Sequence, residues 1–182
     1  MTSDTTQTPA ATRNTTHQGD VIYVLRTAQQ HHVMLGMIAD QKANIILGAF
    51  LIFITVSQSL LDKQQVIIPP LLILSVFFTL SAIFSLLVIA PRFRNPEPVN
   101  GQPHNLLFFG SFSAMQQDEF INTLTRSLQT NEQARQLIMK DIYQIGEVLQ
   151  KKYLNLRLSY LCLGTGITGA AIAYLVRQFQ HL

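Results

Sequence analysis

From Val21 onward, apolar residues recur at helical spacing: Val21, Val24, Leu25, Ala28, His32, Leu35 and Ala39. Asp20 stands in front of this stripe as a candidate N-cap. The pattern predicts a helix from about Val21 that turns apolar without a break and ends near Leu61. Its uncharged run, Ala43 to Leu61, would be roughly 28 Å long as a helix, close to the ~30 Å of bilayer hydrocarbon. Two columns at i,i+4 spacing mark the seam. One is Gly36, Asp40, Asn44 and Gly48, continued upward by His32; the other is Leu35, Ala39, Ala43 and Leu47. Polar groups entering lipid on a narrow face are expected to turn toward another helix or a wet cavity.

A second apolar run, Leu71 to Ala90, follows a short connection over 62–70 that carries Pro69-Pro70. Its Ser75, Thr79, Ser81 and Ser85 hydroxyls are expected to bond back to their own helix. Pro91 ends it, and residues 95–102 read as a proline-rich loop. The apolar patch from Asn105 to Phe112 is too short to span and suits a strand, an interfacial anchor or a small core. Ser113 with Gln116 looks like a capping box opening a helix over about 114–128, and Thr130-Asn131 a turn and cap. From Glu132 the stripe Ala134, Ile138, Asp141, Ile142, Ile145, Val148, Leu149, Lys152 and Leu156 predicts an amphipathic helix. That helix runs into a third apolar segment, Leu158 to Val176. The segment is rich in small residues, with columns Cys162, Gly166, Ala170 and Thr165, Gly169, Ala173 that would let helices approach closely.

The fold class predicted is therefore an all-α membrane protein. It has two to three transmembrane helices (about 43–61, 71–90 and 158–176) and a cytosolic helical region, about 91–157, between the second and last spans. Residues 1–19, rich in Thr, Asn, Gln and Ser, are expected to form a disordered tail before a single domain over 20–182. The first apolar run follows some forty polar residues, so no signal peptide is expected at the start. Basic residues settle the expected orientation. With three spans, Lys63 and Arg177 alone fall outside, so the N-terminus is placed in the cytosol and the C-terminus outside. A two-span alternative keeps both ends inside, with the last segment packed on a soluble bundle.

Charged residues make up 13% of the 182, about half the share of a typical soluble domain, which supports the membrane assignment. The net charge of +3 is spread along the flanks of the spans and does not suggest nucleic-acid binding. The single cysteine, Cys162, excludes an intramolecular disulfide and a cysteine-based zinc site. No phosphate-cradling glycine loop and no nucleophile elbow is present. His31 and His32 are about 100° apart on a helix, and His32 has Leu35 and Gly36 at i+3 and i+4, so metal binding is not expected. Asp40 and Lys42, two apart, do not pair on one helix. Either Lys42 reaches the headgroups and Asp40 bonds to a neighbouring helix, or His32, Asp40 and Asn44 line a site or gate at the membrane surface.

One resemblance sharpens this picture. The stretch His32-Val-Met-Leu35, with Ala39-Asp40-Gln-Lys42-Ala43-Asn44-Ile45 after it, resembles the transmembrane effectors of the bacterial Pycsar anti-phage systems. Asn105-Leu-Leu-Phe-Phe-Gly110 is similar as well, as is Asp141-Ile-Tyr143-Gln144-Ile-Gly146 leading to Lys152-Tyr153, Leu156-Arg157 and Tyr160. Together these cover about Thr27 to Tyr174. The resemblance implies a non-enzymatic effector in the bacterial inner membrane. A partner pyrimidine cyclase would make its ligand, cCMP or cUMP, on infection, and the effector would then impair the membrane and cause abortive infection. A lipid bilayer and a homo-oligomer are the further partners implied, and no cofactor.

Candidate ligand-binding or gating residues are His32, Asp40, Lys42, Asn44, Asn105, Arg126 and Arg157. A cyclic monophosphate carries one negative charge, so Arg126, Arg135, Lys140, Arg157 and the helix start near Ser113 are further candidates to meet it. Two other classes stay open: a membrane scaffold or channel subunit with no nucleotide ligand, and a membrane enzyme using His32 and Asp40 as acid and base.

Overall fold

In a computed structural model the chain is all-helical over its described residues, which are 10–62, 68–90, 105–108, 112–113 and 115–180. Four helices follow in order: α1 (Ala10–Asp62), α2 (Ile68–Ile89), α3 (Gln117–Ser127) and α4 (Asn131–Gln180). Three of them, α1, α2 and α4, are long and apolar enough to cross a membrane.

Helix α1 is 53 residues long and begins at Ala10, eleven residues before the expected start at Val21. Asp20 is thus inside the helix and is not its cap. Ala10 and Ala11, strong helix formers, follow the breaker Pro9, and no proline interrupts the sequence again before Pro69. Of the expected tail, residues 1–9 lie outside the described residues. Thr27 and Thr55 satisfy their hydroxyls on the carbonyls of Tyr23 and Leu51, at 2.9 and 3.0 Å.

Helix α2 starts at Ile68, so Pro69 and Pro70 sit in its first turn and not in the connection. First-turn N–H groups have no intrahelical partner anyway, and proline's fixed φ suits this position. The helix stops at Ile89, where Ala90 donates its N–H to the Leu86 carbonyl at 2.8 Å and Pro91 follows in sequence. The expected loop over 95–102 lies outside the described residues.

Helix α3 spans 11 residues and starts later than the Ser113 capping box predicts. Gln116, in extended conformation, precedes it without a side-chain cap, and the Phe120 N–H donates to its carbonyl at 2.9 Å. Asp118 and Glu119 at the start and Arg126 at the end complement the helix dipole. At the start of α4, Thr130 is the cap expected from sequence. Its Oγ1 accepts from the Gln133 N–H at 3.2 Å and its carbonyl from the Ala134 N–H at 3.1 Å.

By contacts the chain divides into two units, Met1–Val33 with Phe93–Gly146, and Met34–Arg92 with Glu147–Leu182. Each of α1 and α4 contributes one end to both units, unbroken.

The second unit holds the apolar segments. Its core is Ala39, Ala43, Ile46, Phe78, Val88 and Leu156, with Phe50, Phe53, Ile89 and Leu163 packed around it. The Phe78 ring meets Phe50 edge-on at 5.4 Å and Phe53 at 5.1 Å. Helices α2 and α4 run antiparallel here and approach closely at glycine. A Cβ on Gly166 would lie 2.6 Å from the Phe77 Cβ, and one on Gly169 would lie 3.3 Å from Ile73 Cγ2. Two expectations need correction. Ser81 and Ser85 do not bond back to their own helix; they meet Ser159 of α4 at 2.9 and 2.8 Å. Since Ser159 donates to the Ser81 carbonyl at 2.8 Å, its lone pairs are left to accept from both hydroxyls. All three serines are fully buried. The hydroxyls of Ser75 and Thr79 do bond to their own helix, at 2.8 Å each.

Candidate functional site

Within the first unit a polar cluster forms around two buried side chains, Asn105 and Asp141. Asn105 Nδ2 donates to Asp141 Oδ1 and to Gln144 Oε1, each at 3.0 Å, and its Oδ1 accepts the Leu107 N–H at 2.9 Å. The last bond is an Asx turn, which bends the 105–108 segment and explains why the patch forms no strand there. Leu106 is buried beside it, so this part of the patch belongs to a small core; Phe109–Ser111 lie outside the described residues. Gln29 of α1 also donates, through Nε2, to Asp141 Oδ2. The carboxylate is thus held by two neutral amides, and among the described residues no cation pairs with it. Burying a carboxylate is costly unless its oxygens are hydrogen-bonded, and this arrangement supplies those bonds.

Two more polar groups of this unit stand out. His32 is half-buried, and its Nδ1 is buried without a hydrogen-bond partner. The Nε of Arg135 is in the same condition. The His31 and His32 rings are tilted to each other by 58°, with centroids 6.4 Å apart. Among the described residues no group of three His, Cys, Asp or Glu side chains could hold a metal ion.

In the second unit Asp40 turns toward α4, where Lys152 Nζ donates to both carboxylate oxygens at 2.6 and 2.7 Å. Asp40 bonding to a neighbouring helix is the plainer of the two sequence readings. Lys42 and Asn44 are exposed. The reason lies in the packing face: the buried column is Ala39 and Ala43, and Asn44 is rotated about 100° from it. The glycines of its own column, Gly36 and Gly48, border open space, with nothing within 4 Å of an added Cβ. Asn155, one turn beyond Lys152 on α4, has a buried Nδ2 without a partner.

Of the seven candidates, then, Asn105 and Asp40 are bound to α4, His32 is half-buried, and Lys42, Asn44, Arg126 and Arg157 are exposed. No hydrogen bond or ion pair joins any two of the seven among the described residues. Sequence reasoning named Asp141 and Lys152 as stripe residues without a role. The available signal was a charge standing on an otherwise apolar helix face, between Ile138 and Ile142 and between Leu149 and Leu156.

The chain matches the Pycsar effector protein domain (PycTM) over residues 23–177, which takes in all three apolar helices and the polar region before the last. No curated protein and no solved structure matches it. A match of this extent shows the family: the chain belongs to the Pycsar effectors.

Proposed function

We propose that this Pycsar effector responds to a cyclic pyrimidine nucleotide, cCMP or cUMP, made by a partner cyclase on infection. It then impairs the bacterial inner membrane, so that the cell dies or stops growing before phage matures. The observation that carries this reading is the family match, which extends across both the apolar helices and the polar unit. The reading assigns no catalytic step, and it keeps the N-terminus in the cytosol, where most of the basic residues would lie.

The physical chain supports a route from ligand to lesion. Helices α1 and α4 are continuous from the first unit into the apolar segments. A ligand that binds one arrangement of these helices better shifts the population by its differential affinity. Apart from Asp40, which Lys152 of α4 holds, the column of α1 is open among the described residues at Gly36, Asn44 and Gly48, and that stretch suits a second copy. Assembly of several copies would bring Asn44, Thr55, Ser57 and Gln58 around a polar opening in the bilayer.

The test is dye release. Purified protein in dye-loaded liposomes is given each 3′,5′-cyclic nucleotide in turn, and binding is followed in parallel by calorimetry. Release with a cyclic pyrimidine alone supports the proposal. Absence of both release and binding with every nucleotide points to a scaffold or channel subunit.

A further inference from the structure

We infer that Arg135 is the phosphate anchor for the cyclic nucleotide, an assignment that rests on the function proposed above. Four cations are candidates for this role from the sequence. Arg126, Lys140 and Arg157 are exposed, so their charge is spent on water. Arg135 differs in two respects. Its side chain is only 20% exposed, and its Nε is buried with no hydrogen-bond partner.

The nearest carboxylate does not satisfy it. Glu132 Oε2 is 3.8 Å from Nη1, beyond hydrogen-bonding distance, and the Glu132 side chain is 66% exposed. The buried acid of the same unit, Asp141, has its oxygens occupied by Gln29 and Asn105. In the first turn of α4 the Gln133 N–H is likewise taken, by Thr130 Oγ1, and the Ala134 N–H by the Thr130 carbonyl. What remains is a partly desolvated guanidinium whose Nε edge is uncommitted.

A buried donor left unmade is costly, and an acceptor that reaches it as the Arg135 side chain turns outward recovers that cost. The acceptor best matched to a guanidinium edge is a planar or tetrahedral oxyanion that takes two parallel N–H bonds, one from Nε and one from a terminal nitrogen. The two exocyclic oxygens of a cyclic phosphodiester, sharing one negative charge, fit that description. Lysine at this position would supply the charge without the fork.

Binding of cCMP and cUMP to the full chain in detergent micelles tests the assignment by titration calorimetry, with cytidine and uridine as uncharged controls. Arg135→Ala should weaken binding of the preferred cyclic nucleotide by about ten- to a hundredfold, the range of a charge-assisted hydrogen bond. Arg135→Lys should recover part of the loss. Glu132→Gln, which removes the carboxylate that lies near Nη1 among the described residues, should tighten binding severalfold, a gain that misfolding cannot produce. Wild-type affinity in Arg135→Ala, or unchanged or weaker binding in Glu132→Gln, overturns the assignment while leaving the proposed function standing. If the wild-type chain binds neither cyclic nucleotide, the proposed function falls and the assignment falls with it.

Discussion

Lys152 Nζ sits 2.6 and 2.7 Å from the two oxygens of Asp40, a two-point ion pair joining α4 to α1 in the unit that holds the apolar segments. The side chains are 23% and 36% exposed, between the regimes of surface and buried pairs. Lys152→Ala or Asp40→Ala should each cost about 1–2 kcal/mol of stability. The exchanged pair Asp40→Lys with Lys152→Asp should recover most of that loss. Reversible unfolding in micelles, analysed as a double-mutant cycle, measures it, and strictly additive losses would show that the two residues are not coupled.

Asn105 makes three hydrogen bonds from a fully buried position. Asn105→Ala strips an amide from Asp141 and Gln144 and frees the Leu107 N–H. The expected cost is about 2–3 kcal/mol, with faster amide hydrogen exchange confined to 105–108 and the facing turns of α4. Wild-type exchange at those amides would mean that the cluster does not hold the segment.

The small residues of α4 are not equivalent. Gly166→Ala would place a methyl 2.6 Å from the Phe77 Cβ, which is fixed to the α2 backbone, so the helices must separate, at about 1–3 kcal/mol. Gly164→Ala meets nothing within 4 Å and should be neutral or slightly stabilising through helix propensity. Thermal unfolding of the two variants side by side separates close packing from mere glycine flexibility; equal effects would refute the close approach.

Ser159→Ala removes the hydroxyl that Ser81 and Ser85 share. Both can rotate onto carbonyls of their own helix, so the loss should be about 0.5–1.5 kcal/mol. Ser159→Leu cannot be accommodated at a site with no exposed surface, and it should abolish α2–α4 packing in the same unfolding measurement.

The two long helices and the apolar segments were legible because hydropathy and periodicity act locally along the chain. The early start of α1 was not: Thr, Asn and Gln between residues 12 and 18 resemble a tail, and only the alanines after Pro9 point the other way. Pro69-Pro70 reads as part of the connection but opens α2, since proline suits both a turn and the first turn of a helix. The inter-helix serine cluster and the Asn105–Asp141 pair escaped because their members lie 74 to 78 and 36 residues apart. Pairing at such distance depends on which helix faces which, and one sequence does not carry that. Asp40 was readable as a group seeking a neighbouring helix; the identity of that neighbour, Lys152, was not.

The docking surface of α4 on α2 also bears on how the chain is made. Ser159, Gly166 and Gly169 are among the residues that make α4 less apolar than α1 and α2, and they rest on α2. Part of the segment's shortage of greasy side chains therefore falls on the side that its neighbour covers. During biosynthesis α1 and α2 would partition into lipid on their own hydropathy, while the last, less apolar segment would add its contacts on an already inserted α2 to its own partition. A chain with a damaged α2 would therefore seat its C-terminal segment less securely.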